Sequence, residues 1–260
     1  MRLFSILCLL CVLWVGGCSE QPAANEEVTP AEKATQPEPT PKEEVIVDSG
    51  PAEEPVIFDK IGPPPPLANG VKGTIVHITD GDTFYVVTGV GGWAHRIRIS
   101  GFNAPECKKV KNGRFQSCAY DDEAFGVDSY KIAKALIDKH GRKWVISCKN
   151  VGDSCEKDPF DRYLATLKTE SGVDLGKELL LAGAGWAYTK FPYAGRAGYC
   201  RAEAEAIRKR AGLWKSGRAK AKQGMNSTTQ RWYYDRRKGM SHDDLCTKAI
   251  GSSFSKLAGE

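Results

Sequence analysis

Between Val71 and Ile99 the chain holds three short runs in which β-branched and apolar residues alternate with polar ones: Val71 to Thr79, Thr83 to Thr88 and His95 to Ile99. Period-two alternation puts one set of side chains on one face of a strand, and Asp80-Gly81 between the first two runs is a hairpin turn signal. These runs predict an antiparallel meander. Asp121 to His140 changes period: Ala124, Val127, Tyr130, Ile132, Ala135 and Leu136 recur mostly at helical spacing, and Gly141 closes the stretch. Trp144 to Ser147 and Tyr163 to Leu167 read as two further strands. Asp174 is a suitable N-cap for a helix through Leu181, and Arg201 to Ala211 reads as a third helix with a basic face at Arg201, Arg208 and Lys209. Five strands in the order βββ-α-ββ-α-α predict an α+β domain built on a small barrel. No internal repeat accompanies it.

The ends are different in kind. After Arg2, the run Leu3 to Val15 is uncharged and thirteen residues long, well below the roughly 20 needed to span a bilayer and right for the core of an export signal. The stretch Val15-Gly16-Gly17-Cys18 resembles the lipobox of bacterial lipoproteins, which implies acylation of Cys18 and removal of residues 1–17. An ordinary cleaved signal with an incidental cysteine is the alternative. Ser19 after the cysteine resembles the outer-membrane sorting pattern, so the expected location is the cell envelope: exported, and lipid-anchored on the periplasmic face of the outer membrane or on the outer cell surface. Residues 18–70 are then a lipidated N-terminus and a linker whose Pro, Glu, Ala and Thr bury too little apolar area to offset ordering entropy. The globular domain spans 71–214, and 215–260 is a basic extension, containing Trp232-Tyr233-Tyr234, to which no fold is assigned.

Charge follows the same division. Residues 19–70 carry 11 acidic and 3 basic residues, whereas 71–260 carry 33 basic and 21 acidic. The chain total of +5 hides a basic body suited to a polyanionic ligand.

Of nine cysteines, Cys8 and Cys11 belong to the signal and Cys18 to the anchor. In an oxidising compartment the remaining six have 15 possible pairings, among which sequence proximity favours Cys107 with Cys118, Cys148 with Cys155, and Cys200 with Cys246. Free buried thiols or a metal cluster are the alternatives. A CxxC occurs only in the signal and no HxxxH occurs, which argues against zinc.

Three charged clusters sit at or beside strand ends: Asp80-Gly81-Asp82-Thr83, Arg98 through Asn103-Ala104-Pro105-Glu106, and Asp158 through Asp161-Arg162. Singly, each is an ordinary turn, loop or surface ion pair. Together they hold what phosphodiester hydrolysis requires: oxygen ligands for a hard cation, a carboxylate to activate water, and arginines whose planar forks grip phosphate oxygens.

On these residues, with Tyr-Leu-Ala after Arg162 and with Ala202-Glu203-Ala204 and Gly212-Leu213-Trp214 downstream, residues 71–214 resemble the staphylococcal nuclease (thermonuclease) family. The resemblance implies a five-stranded OB-fold barrel with three helices. It implies calcium held by Asp82, by the side chain of Asn103 and by the carbonyl of Ala104, with Glu106 as general base. Arg98 and Arg162 would hold the scissile phosphate, Arg162 nearest the leaving oxygen, and cleavage would leave a 3′-phosphate. Tyr188 matches a tyrosine of the family's nucleotide pocket, and Lys108 and Lys109 begin a loop, 108–114, where the family keeps basic substrate contacts. Arg96, two residues before Arg98 on the same strand face, is expected as a further phosphate contact. Three departures stand out. Asn103 replaces the usual Asp, which weakens calcium binding; Asp161 replaces a usual glycine; and the segment between Asp82 and Arg98 is two residues longer.

The expected function is calcium-dependent hydrolysis of DNA or RNA, endo or exo, with low base specificity, by a monomer with no protein partner and a membrane contact only through its lipid. The alternatives are a silent nucleic-acid-binding scaffold and an adhesion lipoprotein that binds acidic envelope polymers.

Overall fold

The computed structural model describes residues 65–89, 92–148, 154–234 and 240–260. The signal, Cys18, most of the acidic linker and part of the basic stretch after Arg231 lie outside the described residues.

Strands β1 (Lys72–Ile78), β2 (Thr83–Thr88) and β3 (Ala94–Ile99) form the meander. Strands β4 (Phe102–Asn103), β5 (Cys107–Asn112) and β6 (Phe115–Asp121) follow, then helix α1 (Gly126–His140). Next come β7 (Lys143–Cys148), β8 (Tyr163–Lys168), α2 (Leu175–Leu181), β9 (Trp186–Ala187) and α3 (Arg196–Arg208). A 3-10 turn, Gly212–Trp214, leads to α4 (Arg218–Gly224), α5 (Ser227–Tyr234), α6 (His242–Ile250) and α7 (Phe254–Ala258).

β1, β2, β3, β8 and β7 close into a barrel in that order. Every pairing is antiparallel except β3 with β8, which is parallel and sets Arg98 opposite Leu164. This is the five-stranded OB-fold arrangement, and closure leaves no sheet edge exposed. Alternate residues point inward: Ile75, Phe84, Val86, Ile97, Ile99, Ile146 and Leu167 are all buried. α1 adds Ala133 and Ile137 to this core, and α2 adds Leu175, Leu179 and Leu180. Each such side chain contributes about 1.5–3 kcal/mol by leaving water.

Four expectations need correction. The supposed loop 108–114 is the hairpin β5–β6, attached to the barrel where the Cys118 N–H donates to the Thr79 carbonyl at 2.8 Å. α1 begins at Gly126 rather than Asp121, whose side chain instead accepts from the Val127 N–H at 2.7 Å. α3 begins five residues early and ends at Arg208. The linker stops short of residue 70, because Leu67 is buried in the barrel core and its carbonyl accepts from the Cys155 N–H.

All three disulfides form as sequence proximity favours: Cys107–Cys118, Cys148–Cys155 and Cys200–Cys246. The last ties α3 to α6. Around it lies a second core in which Cys200, Ala204 and Ile207 of α3 meet Trp186, Trp214, Tyr233, Phe254 and Ala258. The basic extension is thus a helical layer packed on α3. No helix among the described residues is long and apolar enough to cross a membrane.

Candidate active site

Arg98 sits near the end of β3, paired with Thr83 at the start of β2, and is almost wholly buried. One guanidinium nitrogen donates to the carbonyls of Ile99 (3.2 Å) and Phe102 (3.1 Å). Another donates to Asn103 Oδ1 at 2.5 Å and lies 3.3 Å from Asp82 Oδ2. Arg162 immediately precedes β8, the parallel neighbour of β3. Its Nε donates to Asp158 Oδ2 at 2.8 Å, and Nη1 donates to Thr83 Oγ1 at 3.2 Å and stands 4.0 Å from Asp82 Oδ1. The β3–β8 pairing is therefore what brings two arginines, 64 positions apart in sequence, to one buried carboxylate.

Asp82 also accepts from Thr83 Oγ1 at 2.8 Å and from the Ala104 N–H at 3.4 Å. Burial pushes its carboxyl up, but Arg98 and Arg162 outweigh burial and hold it below the usual carboxylate range. Asp80, two residues away, goes the other way: burial, reinforced by the charge on Asp82, raises it above its ordinary value although Lys109 opposes both. Glu106 is half exposed, and burial and then the Asp82 charge raise its carboxyl. Its backbone N–H donates to Glu123 Oε2 at 2.7 Å, and the other oxygen of the buried Glu123 accepts from the Asn226 N–H at the start of the extension.

Two glycines allow these loops to meet. A Cβ on Gly81 would lie 2.1 Å from Ser129 Oγ and 2.7 Å from the Ala104 side chain, so the Asp80-Gly81-Asp82 turn touches α1 and the 104 loop only because position 81 has no side chain. A Cβ on Gly126 would lie 2.3 Å from the Glu106 carbonyl. α1 begins directly against the residue that carries the candidate base.

Arg98, Asn103, Glu106, Arg162 and Tyr188 line one cleft of about 700 Å³. Tyr188 lies under Arg98, 5.1 Å from ring centroid to guanidinium carbon. Phe160 and Phe191, both largely exposed, add ring faces beside Arg162 and Lys190. Arg96 pairs with Tyr85 across the sheet and is not among the cleft-lining residues. Lys108 is exposed on β5, whereas Lys109 points at carboxylates, 2.9 Å from Asp80 and 3.7 Å from Glu106. Asp161 has φ +60°, the left-handed region that glycine occupies without strain, which accounts for the glycine the family resemblance implies there.

Sequence reasoning placed Thr83 and Asp158 in the charged clusters without a role and passed over the other contributors. Thr83, Asp158 and Glu123 fix the arginines, Asp82 and the Glu106 backbone, and Asn226, Thr228 and Thr229 of the extension form part of the cleft wall. The extension also holds the tyrosine segment from behind. Buried Glu203 accepts from the Ala187 N–H (3.1 Å), pairs with His242 (2.9 Å) and accepts from the Tyr233 hydroxyl, and His242 Nδ1 bonds Thr189 Oγ1 at 3.0 Å. Tyr188 is thus bracketed at positions 187 and 189. Cys246 approaches this group, but its sulfur is committed to Cys200, so Glu203, His242 and Cys246 are a structural network rather than a metal centre.

Residues 96–216 match the family model described as staphylococcal nuclease homologue. The matched segment, from β3 through the 3-10 turn, is similar to the staphylococcal nuclease domain, and the five-stranded barrel is consistent with that fold. The match supports nuclease-type hydrolysis and nucleic-acid binding in general. No curated protein matches the chain.

Proposed function

We propose that this chain is a calcium-dependent phosphodiesterase that cleaves DNA or RNA with little base preference at the cell envelope, tethered there by an acylated Cys18. The observation that carries the reading is the meeting of Arg98 and Arg162 at Asp82, within 4.0 Å, beside a cleft that also contains Glu106.

The donors available to a cation are Asp82, the Asn103 amide oxygen and the Ala104 carbonyl, with Asp80 and Glu106 close by. An all-oxygen set suits a hard divalent ion. These groups are already gathered into one chain of contacts, since Arg98 reaches both Asp82 and Asn103, and the Asn103 amide donates to the Ala104 carbonyl at 3.2 Å. Bound calcium would supply positive charge next to the scissile phosphate. Glu106, half exposed at the cleft, takes a proton from the attacking water. Arg98 and Arg162 hold the equatorial phosphate oxygens and stabilise the charge that grows there, with Arg162 toward the leaving oxygen, so that the product keeps a 3′-phosphate. Tyr188, Phe160 and Phe191 offer stacking faces to bases of any identity, which is consistent with low base specificity.

The test is digestion of single- and double-stranded DNA and RNA in calcium and in chelator. Calcium-dependent cleavage with 3′-phosphate ends supports the proposal. Salt-sensitive binding with no cleavage at any calcium concentration favours the silent scaffold, a reading for which Lys109 inside the carboxylate cluster is the specific observation.

A further inference from the structure

Lys109 is held in place by more than its own ion pairs. β5 and β6 pair with a register shift between Lys108 and Lys109, a bulge of the kind that re-aims the side chain that follows. Lys109 is paired with Cys118, the residue whose sulfur closes the hairpin on Cys107 and whose N–H is bound to the Thr79 carbonyl. Thr79 adjoins Asp80. The disulfide-closed hairpin therefore delivers the Lys109 ammonium to the Asp80 turn, where it lies 2.9 Å from Asp80 and 3.7 Å from Glu106 with about a quarter of the side chain exposed.

The charges are partitioned accordingly. Arg98 and Arg162 meet the cluster at Asp82, while Lys109 meets it at Asp80 and Glu106. Arg162 is shared with Asp158, so Lys109 is the cation that faces Asp80 and Glu106, and a divalent ion entering between those oxygens meets the ammonium already there.

We propose that Lys109 is a tethered counter-ion that occupies the carboxylate cluster of the metal-free enzyme and competes with the divalent cation for it, so that it sets the calcium concentration at which the site loads. The proposal rests on the reading of this cluster as a calcium site. Its consequence is a threshold: the arginine clamp stays formed at low calcium, while Asp80 and Glu106 are freed of the ammonium, Glu106 to act as base, only when calcium displaces it. A long, unbranched side chain on a surface hairpin can swing to solvent at little steric cost, which makes the exchange reversible.

Calcium binding by the full-length chain in detergent, measured by titration calorimetry, separates this from cleavage. Lys109→Met, which keeps the aliphatic stem, should bind calcium about tenfold more tightly than the wild type, the scale of one charge-assisted bond removed from the competition. Lys108→Met, one residue away and exposed, should bind as the wild type does. In chelator, Lys109→Met should also melt at a lower temperature, with calcium restoring the loss. Lys109→Gln, checked by circular dichroism, serves if the methionine variant misfolds. Unchanged or weaker calcium binding in a folded Lys109 variant overturns the proposal, as does the absence of calcium binding in every variant. Tighter binding by Lys109→Met in a protein that never cleaves nucleic acid sustains the competition and rejects the nuclease reading.

Discussion

The arginine end of the cleft is carried on paired barrel strands, whereas the carboxylate end is carried on the Phe102–Glu106 loop and a hairpin attached to the barrel rim. Arg98 is fixed by ladder pairing and by two carbonyls, and Arg162, just ahead of β8, by Asp158 and Thr83. Asn103 is held by Arg98 and by pairing with Trp186, Glu106 through its backbone by Glu123, and Lys109 by Asp80, Glu106 and the hairpin disulfide. The difference separates two roles. The clamp keeps both arginines of the family pattern, although Asp161 beside Arg162 departs from it, while at the cation end Asn103 replaces a ligand of that pattern and Lys109 lies against the carboxylates.

The largest effect expected from breaking this arrangement is at the clamp. Arg162→Ala should lower kcat by about 10²–10³, the usual cost of removing one preorganised donor from a developing charge. Lysine should rescue little, because it cannot donate simultaneously toward Asp158, Thr83 and phosphate; steady-state rates of the two variants check this.

At Asp82 the expectation concerns stability without calcium. Its folded-state pKa lies below the ordinary value, so the stability it contributes is present above the unfolded value of about 3.9 and is lost as pH falls through the folded value. Asp82→Asn should therefore lower the urea midpoint at pH 7 in chelator and remove that part of the acid-induced loss. A variant midpoint that still falls as steeply as the wild type's below pH 4 would mean the arginines do not depend on this carboxylate.

A smaller effect is expected at the cation end. Asn103→Asp should lower the calcium concentration for half-maximal cleavage severalfold, because a charged ligand replaces a neutral amide oxygen. Smallest of all, Asp161→Gly should raise stability by up to about 1 kcal/mol by removing a left-handed non-glycine residue, measured by urea melts with Lys157→Ala as the control for the lost 2.7 Å ion pair.

What was legible in the sequence follows the same divide. β2 was read at its observed limits and the Asp174-capped helix likewise, because each has a strong local signal: a run of β-branched and aromatic residues after an Asp-Gly turn in one, a side-chain cap in the other. The hairpin β5–β6 was hidden. Its first strand, Cys-Lys-Lys-Val-Lys-Asn, has one β-branched residue, Val110, and that residue is exposed, so no buried face writes an alternation into the sequence. Among the candidate site residues, the arginines, Asp82 and Glu106 stood out through the resemblance of their clusters to a family motif, and the barrel brings the arginines together at Asp82. Glu123 and Asn226, bonded to each other across 103 positions, and His242 with Glu203 were not, since such contacts exist only once the helical layer has packed on α3. The extension gave no sign of its fold because its helices are short and lean on a second core instead of presenting a long apolar stripe.

The central claim is that one cleft both holds and hydrolyses a phosphodiester. Single-turnover cleavage of an end-labelled oligonucleotide by the wild type and by Glu106→Gln, at saturating calcium and with binding measured separately, tests it most directly. The account predicts that both proteins bind the oligonucleotide with similar affinity and that only the wild type cleaves it at an appreciable rate, leaving a 3′-phosphate. An equal cleavage rate in Glu106→Gln, or binding without cleavage by the wild type, would contradict it.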